Sequence, residues 1–131
     1  MILLDTHALA WAVGEPERLS RAAASAVRRA RLGGGIAVAA ISLWELALMF
    51  SRGQLRSQGS LENSVRLILE SSGAVVKPIT PSIAALAMHF PQDFPRDPAD
   101  RLIGATARAE GLPLVTRDER IRSSPLLKTI W

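Results

Sequence analysis

The chain has 131 residues, of which 48% are hydrophobic and 21% are charged. This length supports one hydrophobic core and is too short for two, so we expect a single domain over residues 1–131. The absence of cysteine excludes disulfides and thiolate metal sites and fits a reducing compartment. No apolar run approaches the roughly 18 residues of a membrane span, and Asp5 interrupts the first apolar run before it could form a signal peptide. We therefore expect a cytoplasmic protein without a membrane partner.

The charge is unevenly divided between a few acids and many arginines. The formal net charge of +4 becomes +8 when the four negative charges of Asp5, Glu45, Asp100 and Asp118 are set aside. An acidic centre within a basic shell is typical of an enzyme that acts on a polyanion. A richness in arginine also serves solubility alone, so the charge leaves both interpretations open.

Strands and helices alternate along the predicted chain. Short apolar runs predict strands at 2–4, 36–41, 74–77, 112–116 and 127–131. Helical spacing, caps and glycine stops predict helices at 6–13, 21–32, 42–51, 60–71, 80–89 and 97–110. This alternation predicts an α/β fold with a mainly parallel central sheet of four to five strands and helices on both faces.

Four acids are predicted to meet at one edge of this sheet. Asp5 and Asp118 follow predicted strands, while Glu45 and Asp100 lie in the first turns of helices. In open parallel sheets the functional crevice lies beyond the carboxyl ends of the strands. The four carboxylates therefore project toward that crevice, although they come from distant parts of the sequence.

Each of these acids also has a local structural interpretation. Residues 42–45 match a capping box, in which Glu45 would bind the backbone N–H of the cap residue. Asp5 suits a helix cap and Asp118 suits a turn. Asp97 before a proline is typical of a helix start, and we favour that role over a ligand role. Asp100 instead lies on the apolar face of its helix, where a carboxylate needs a partner.

A divalent cation would explain several carboxylates in one crevice. Without such a cation their charges repel one another, and burying even one of them is costly. The candidate ligands are all oxygens, which favours Mg²⁺ or Mn²⁺ over Zn²⁺. Water held by such a metal is the reagent for phosphodiester hydrolysis.

The remaining notable residues have mainly structural interpretations. We favour packing or a supporting contact over catalysis for His7, and a helix-end role for His89. The three tryptophans are expected in the core rather than as base-stacking platforms. Gly104 costs its helix about 1 kcal/mol relative to Ala, which indicates that another backbone packs closely there.

Four segments of the chain resemble the PIN-domain ribonucleases, in particular the VapC-type toxins of bacterial toxin–antitoxin pairs. They are LLDTHALAW at 3–11, SLWELA at 42–47, DPADRLI at 97–103 and LVTRD at 114–118. They follow the order and spacing of that family over nearly the whole chain. One departure is Met49, where many relatives in this subgroup carry Lys, so a basic RNA contact at that position is in doubt.

The resemblance implies an endoribonuclease toxin that uses Mg²⁺ or Mn²⁺ to hydrolyse RNA and is neutralised by a cognate antitoxin. By motif position, the family's catalytic acids fall on Asp5, Glu45, Asp100 and Asp118. Asp5, Asp100 and Asp118 would bind the metal, and the supporting residues would be Thr6, Asp97 and Thr116. The candidates for holding RNA phosphates are Arg101, Arg117 and Arg120. A homodimer is also expected.

Two other functions fit the same sequence. The first is a PIN-fold module that binds RNA or a partner with weak or no nuclease activity. The second is a receiver-like α/β domain, which would need paired acids after the first strand and an acid at the end of a central strand. The chain has only Asp5 at the first position and no acid within 36–42, so the receiver interpretation is disfavoured.

Overall fold

A computed structural model describes all 131 residues. Its strands are β1 (Ile2–Leu4), β2 (Ile36–Ala39), β3 (Val75–Lys77), β4 (Leu114–Val115) and β5 (Thr129–Ile130). Its helices are α1 (Thr6–Gly14), α2 (Arg21–Leu32), α3 (Ile41–Ser51), α4 (Leu61–Ser72), α5 (Pro81–Met88), α6 (Pro98–Glu110) and α7 (Glu119–Arg122). The five strands form one sheet in the order β3-β2-β1-β4-β5, and every pair is parallel. The predicted α/β class and parallel sheet are confirmed.

The sheet separates two buried layers. Successive side chains of a strand point to opposite faces, so Leu4 and Val38 pack with α1 to α4 while Leu3 and Ala37 pack with α5 to α7. All four residues of β2 are buried, as expected for a central parallel strand covered on both sides. This order brings the carboxyl ends of β1 and β4, which are neighbours in the sheet, side by side.

The beginning of α3 differs from the prediction. Strand β2 ends at Ala39, and Ala40 already has helical backbone angles (φ −53°, ψ −37°) without a side-chain cap. Ser42 therefore lies inside the first turn and cannot be the cap residue. The capping-box interpretation of residues 42–45 is wrong, because buried Ser42 contacts Thr6 instead of the backbone at the helix start.

Aromatic rings, and not a second backbone, approach Gly104. A Cβ atom at this position would lie 3.0 Å from Cζ of Phe94 and 3.1 Å from Cζ of Phe90. The two rings stack with centroids 4.2 Å apart. The expectation of a close backbone at Gly104 is wrong, since the loop between α5 and α6 places its aromatic side chains in that space.

One tryptophan does not belong to the core. Trp11 is buried and Trp131 is partly buried, but Trp44 is 60% exposed. Leu46 is buried in the core, and a residue two positions away on a helix points to the opposite face. The core prediction for Trp44 is therefore wrong. None of the helices is both long enough and apolar enough to span a membrane.

Candidate active site

A cleft of about 600 Å³ opens beyond the carboxyl ends of β1 and β4. Its wall contains all four predicted acids together with the expected helix-start acid: Asp5, Glu45, Asp97, Asp100 and Asp118. The other lining residues are Thr6, His7, Trp11, Arg18, Ile103, Arg117 and Ile121. The structure thus brings together the acids that the sequence placed at one sheet edge.

Asp5 is held from two sides at the end of β1. Its Oδ1 accepts the N–H of Ala8 at 2.8 Å, which caps α1, and the nearby hydroxyl of Thr116 lowers the pKa of its carboxyl against the larger effect of burial. The oxygen of that hydroxyl accepts the N–H of Asp118 at 3.1 Å. Thr116 therefore lies between Asp5 and the turn that carries Asp118, and the cap role of Asp5 coexists with its place in the cleft.

Glu45 reaches the cleft through contacts with buried hydroxyls. Oγ1 of Thr6 lies 2.5 Å from Oε1 of Glu45 and 2.8 Å from Oγ of Ser42. A hydroxyl carries one proton, so when Thr6 donates to the carboxylate, Ser42 donates in turn to Thr6. This chain of hydrogen bonds holds Glu45 in one orientation.

The two acids at the start of α6 differ in role. Oδ1 of Asp97 accepts the N–H of Ala99 at 2.8 Å, which confirms the predicted cap. Asp100 has no such backbone partner and is half-buried against the cleft. Asp118 is also a cap, since its Oδ1 accepts the N–H groups of Arg120 and Ile121 at the start of α7.

Burial raises the pKa of three of these acids. Desolvation is the main cause of the raised pKa of Asp5 and Glu45. The pKa of Asp100 is raised to about 7, first by burial and then by the negative charges of Asp97, Asp118, Glu45 and Asp5. A cluster of this kind is more stable when a cation offsets its charge.

The donor chemistry of the cleft fits a hard divalent cation. No three acid or imidazole side chains come close enough together to form a complete metal-binding group. Mg²⁺ does not require such a group, because it keeps several waters and binds through one or two carboxylates. The raised pKa of Asp100, caused first by burial and then by four neighbouring carboxylates, is the observation that agrees best with a cation in this place.

Only one of the three predicted phosphate-binding arginines lines the cleft. Arg117 does, while Arg120 is exposed on α7 outside the lining. The side chain of Arg101 donates to the carbonyl oxygens of Pro95 at 3.0 Å and Phe90 at 3.1 Å. The structure contradicts the phosphate-binding prediction for Arg101, because its guanidinium holds the loop between α5 and α6.

Sequence reasoning missed Arg18 and Trp11 in the cleft wall. Arg18 lies in a short 3₁₀ turn, Pro16–Arg18, after α1, and no motif marks it. His7 is exposed at the cleft, with its ring 5.7 Å from that of Trp11, so it is not a core residue. The only available signal was that residues 7 and 11 share a helix face with each other.

These features define a single α/β domain with an acidic cleft at the carboxyl edge of a parallel sheet. The family model of the PIN domain matches residues 2–125. The sequence is also 42% identical over 132 residues to Ribonuclease VapC22 of Mycobacterium tuberculosis, covering 99% of this chain and 98% of that protein. The chain belongs to the PIN-domain family.

Solved structures have the same fold at low sequence identity. A chain of VapBC2 from Rickettsia felis, bound to a promoter DNA fragment, matches with a TM-score of 0.72 and 16% identity over 98% of this chain and 97% of that one. DNA-bound VapBC from Salmonella typhimurium gives a TM-score of 0.69 and 19% identity over 98% and 97%. A toxin–antitoxin complex from Klebsiella pneumoniae gives 0.66 and 21% over 97% and 95%. These similarities support the fold.

Proposed function

We propose that this protein is a metal-dependent endoribonuclease that acts as the toxin of a toxin–antitoxin pair. The observation that carries the proposal is the cleft in which the four motif acids meet, with the pKa of Asp100 raised to about 7 by burial and by its acidic neighbours. The full-length relative at 42% identity is named a ribonuclease, which supports RNA as the substrate.

Each acid has a distinct part in the proposed reaction. Asp5, Asp100 and Asp118 provide carboxylate oxygens for Mg²⁺ or Mn²⁺ and for its waters. A metal bound there would supply an activated water for attack on the RNA phosphodiester and positive charge beside the phosphate. Glu45 orients or deprotonates the attacking water, and the hydroxyl of Thr6 fixes the orientation of Glu45. Attack is in line with the leaving oxygen.

The proposed partner is an antitoxin protein. The complex from Klebsiella pneumoniae, which contains a chain of this fold, is a toxin–antitoxin complex. Uncontrolled RNA cleavage would harm the cell that makes the enzyme, so an inhibitory partner follows from the proposed activity. Induced expression without the partner should arrest bacterial growth, and the same expression of Asp100→Asn should not.

The decisive experiment is cleavage of a labelled single-stranded RNA by the purified protein. Wild-type protein should cleave with Mg²⁺ or Mn²⁺ and stop when EDTA is added. Asp5→Asn and Asp100→Asn keep the shape of each side chain but remove the charge. Each should lower the cleavage rate by about 100-fold or more, while circular dichroism shows an intact fold.

Asp93→Asn is the matched control, because Asp93 is an exposed loop residue outside the cleft. It should cleave at the wild-type rate. Wild-type activity in folded Asp100→Asn protein would remove Asp100 from the site, and cleavage that persists in EDTA would contradict metal dependence. Wild-type protein that binds RNA but never cleaves it would favour the binding-module alternative.

A further inference from the structure

Two arginines lie against one buried indole at the rim of the cleft. Cζ of Arg18 is 4.5 Å from the centre of the Trp11 ring, and Cζ of Arg117 is 6.0 Å from it. Trp11 is only 8% exposed and packs against Trp131 with centroids 6.0 Å apart. The indole is therefore a fixed support that holds both guanidinium groups, here called the arginine pair, on one side of the cleft.

The arginine pair has hydrogen-bond donors available for a ligand. The one ionic contact of Arg18 is with Glu15 at 3.8 Å, and about half of each side chain is exposed (47% and 53%). Exposed ion pairs of this kind contribute little to the stability of a protein. Arg117 is exposed and has no ion pair within the protein. Arg101 is the contrasting case, since backbone carbonyls occupy its guanidinium.

Electrostatics make the arginine pair the natural contact for a phosphate. Five acids line the cleft, and the pair supplies its only arginine or lysine side chains. A phosphodiester that approaches the acids is repelled until a cation or an arginine offsets its charge. A guanidinium that stacks on an indole keeps its N–H edge free to bind phosphate oxygens.

We propose that Arg18 and Arg117, supported by Trp11, bind the phosphates of the RNA strand next to the cleaved bond. This inference rests on the proposed ribonuclease function and names the side of the cleft along which the strand lies. The arginines contact the sugar-phosphate backbone of the RNA, so they raise affinity for single-stranded RNA without recognising its sequence. The acids on the remaining wall are left for the metal and the attacking water.

Equilibrium binding tests this proposal without relying on cleavage. The affinity of a labelled single-stranded RNA is measured by fluorescence anisotropy in EDTA, in the Asp100→Asn protein so that the RNA stays intact. This protein then receives one further substitution, which is Arg18→Gln, Arg117→Gln or the control Arg28→Gln. Arg28 is an exposed residue of α2 outside the cleft. Each substitution in the arginine pair should weaken binding by about 3- to 10-fold. Each should also reduce the slope of log affinity against log salt by about 0.7.

The control and a charge-retaining variant separate the outcomes. Arg28→Gln should leave both affinity and salt slope unchanged, and Arg18→Lys should keep the salt slope while losing part of the affinity. Unchanged binding in both Arg18→Gln and Arg117→Gln, or an equal loss in Arg28→Gln, would overturn the proposal. In wild-type enzyme the same substitutions should raise KM and leave kcat nearly constant. The absence of metal-dependent cleavage by wild-type protein would contradict the ribonuclease function separately.

Discussion

At the scale of single residues, most acids of the cleft have both a structural and a proposed chemical role. Asp5, Asp97 and Asp118 each give one carboxylate oxygen to the backbone at a helix start. Such a bond fixes the orientation of the side chain. It uses only part of the carboxylate's capacity to accept hydrogen bonds or bind a cation, since each oxygen has two lone pairs. The cap predicted for Asp5 and the turn role predicted for Asp118 are therefore both compatible with the proposed ligand role.

Asp100 should make the stability of the metal-free protein depend on pH. Its pKa rises from 3.8 to about 7 on folding, so in this window the folded protein keeps a proton that the unfolded chain has released. Stability must then fall as pH rises from about 4 to about 7. Full conversion of the shift gives about 4 kcal/mol, which the partial exposure of the side chain reduces to about 1–2 kcal/mol.

The measurement is urea unfolding in EDTA at about pH 4.5 and about pH 8, since most of the window between the unfolded and folded pKa of Asp100 lies between these values. The substituted side chain in Asp100→Asn cannot ionise. The free energy of unfolding of this variant, relative to wild type, should therefore rise by about 1–2 kcal/mol from the lower to the higher pH. Asp93→Asn should gain nothing, because Asp93 is exposed. If the unfolding free energies of Asp100→Asn and wild type differ by the same amount at both pH values, Asp100 is already ionised at the lower one.

At the scale of secondary-structure elements, α6 is tied closely to the loop that precedes it. It carries two cleft acids at its start, and Arg101 in its first turns holds the preceding loop through backbone carbonyls. Phe90 and Phe94 from that loop then cover Gly104. The loop and the helix therefore pack as one unit, which keeps Asp100 directed into the cleft.

Gly104→Ala should destabilise the protein although Ala is the better helix former. The gain in helix propensity is about 1 kcal/mol, whereas overpacking a core typically costs about 1–3 kcal/mol. A Cβ only 3.0 Å from Phe94 requires the stacked rings to move, so we expect a net loss of about 1 kcal/mol. Thermal unfolding of the metal-free protein measures this change.

Gly14→Ala is the matched control at the end of α1. A Cβ there meets no atom within 4 Å, so this substitution should stabilise the protein by about 0.5 kcal/mol. If Gly104→Ala stabilises the protein as much as Gly14→Ala does, the two aromatic rings do not limit the space above α6.

At the scale of the whole molecule, an acidic cleft within a chain of net charge +4 would link the proposed metal binding to folding. The unfolded chain separates the carboxylates and removes their repulsion, so a cation bound in the cleft would favour the folded state. At ten times its Kd, Mg²⁺ would stabilise the fold by about 1.4 kcal/mol. For a chain of this length we expect a rise in Tm of about 5 °C at neutral pH.

Differential scanning calorimetry with and without MgCl₂ measures this rise. Sodium chloride at equal ionic strength is the control for screening, and it should give a much smaller change. The rise should shrink in Asp100→Asn and at about pH 4.5, where protonated acids bind no cation. An equal response to both salts would show that Mg²⁺ has no specific site in the cleft.

The sequence by itself determined the alternation of strands and helices, the cap of α6 by Asp97 and the set of acids at the sheet edge. These features depend on local spacing and on the end of each strand, both of which are read directly along the chain. Tertiary structure decided which arginines face the cleft, because a long flexible side chain takes whichever acceptors surround it. Arg101 lies one residue from a cleft acid and binds a loop, whereas Arg18, far away in sequence, reaches the cleft through its stacking on Trp11.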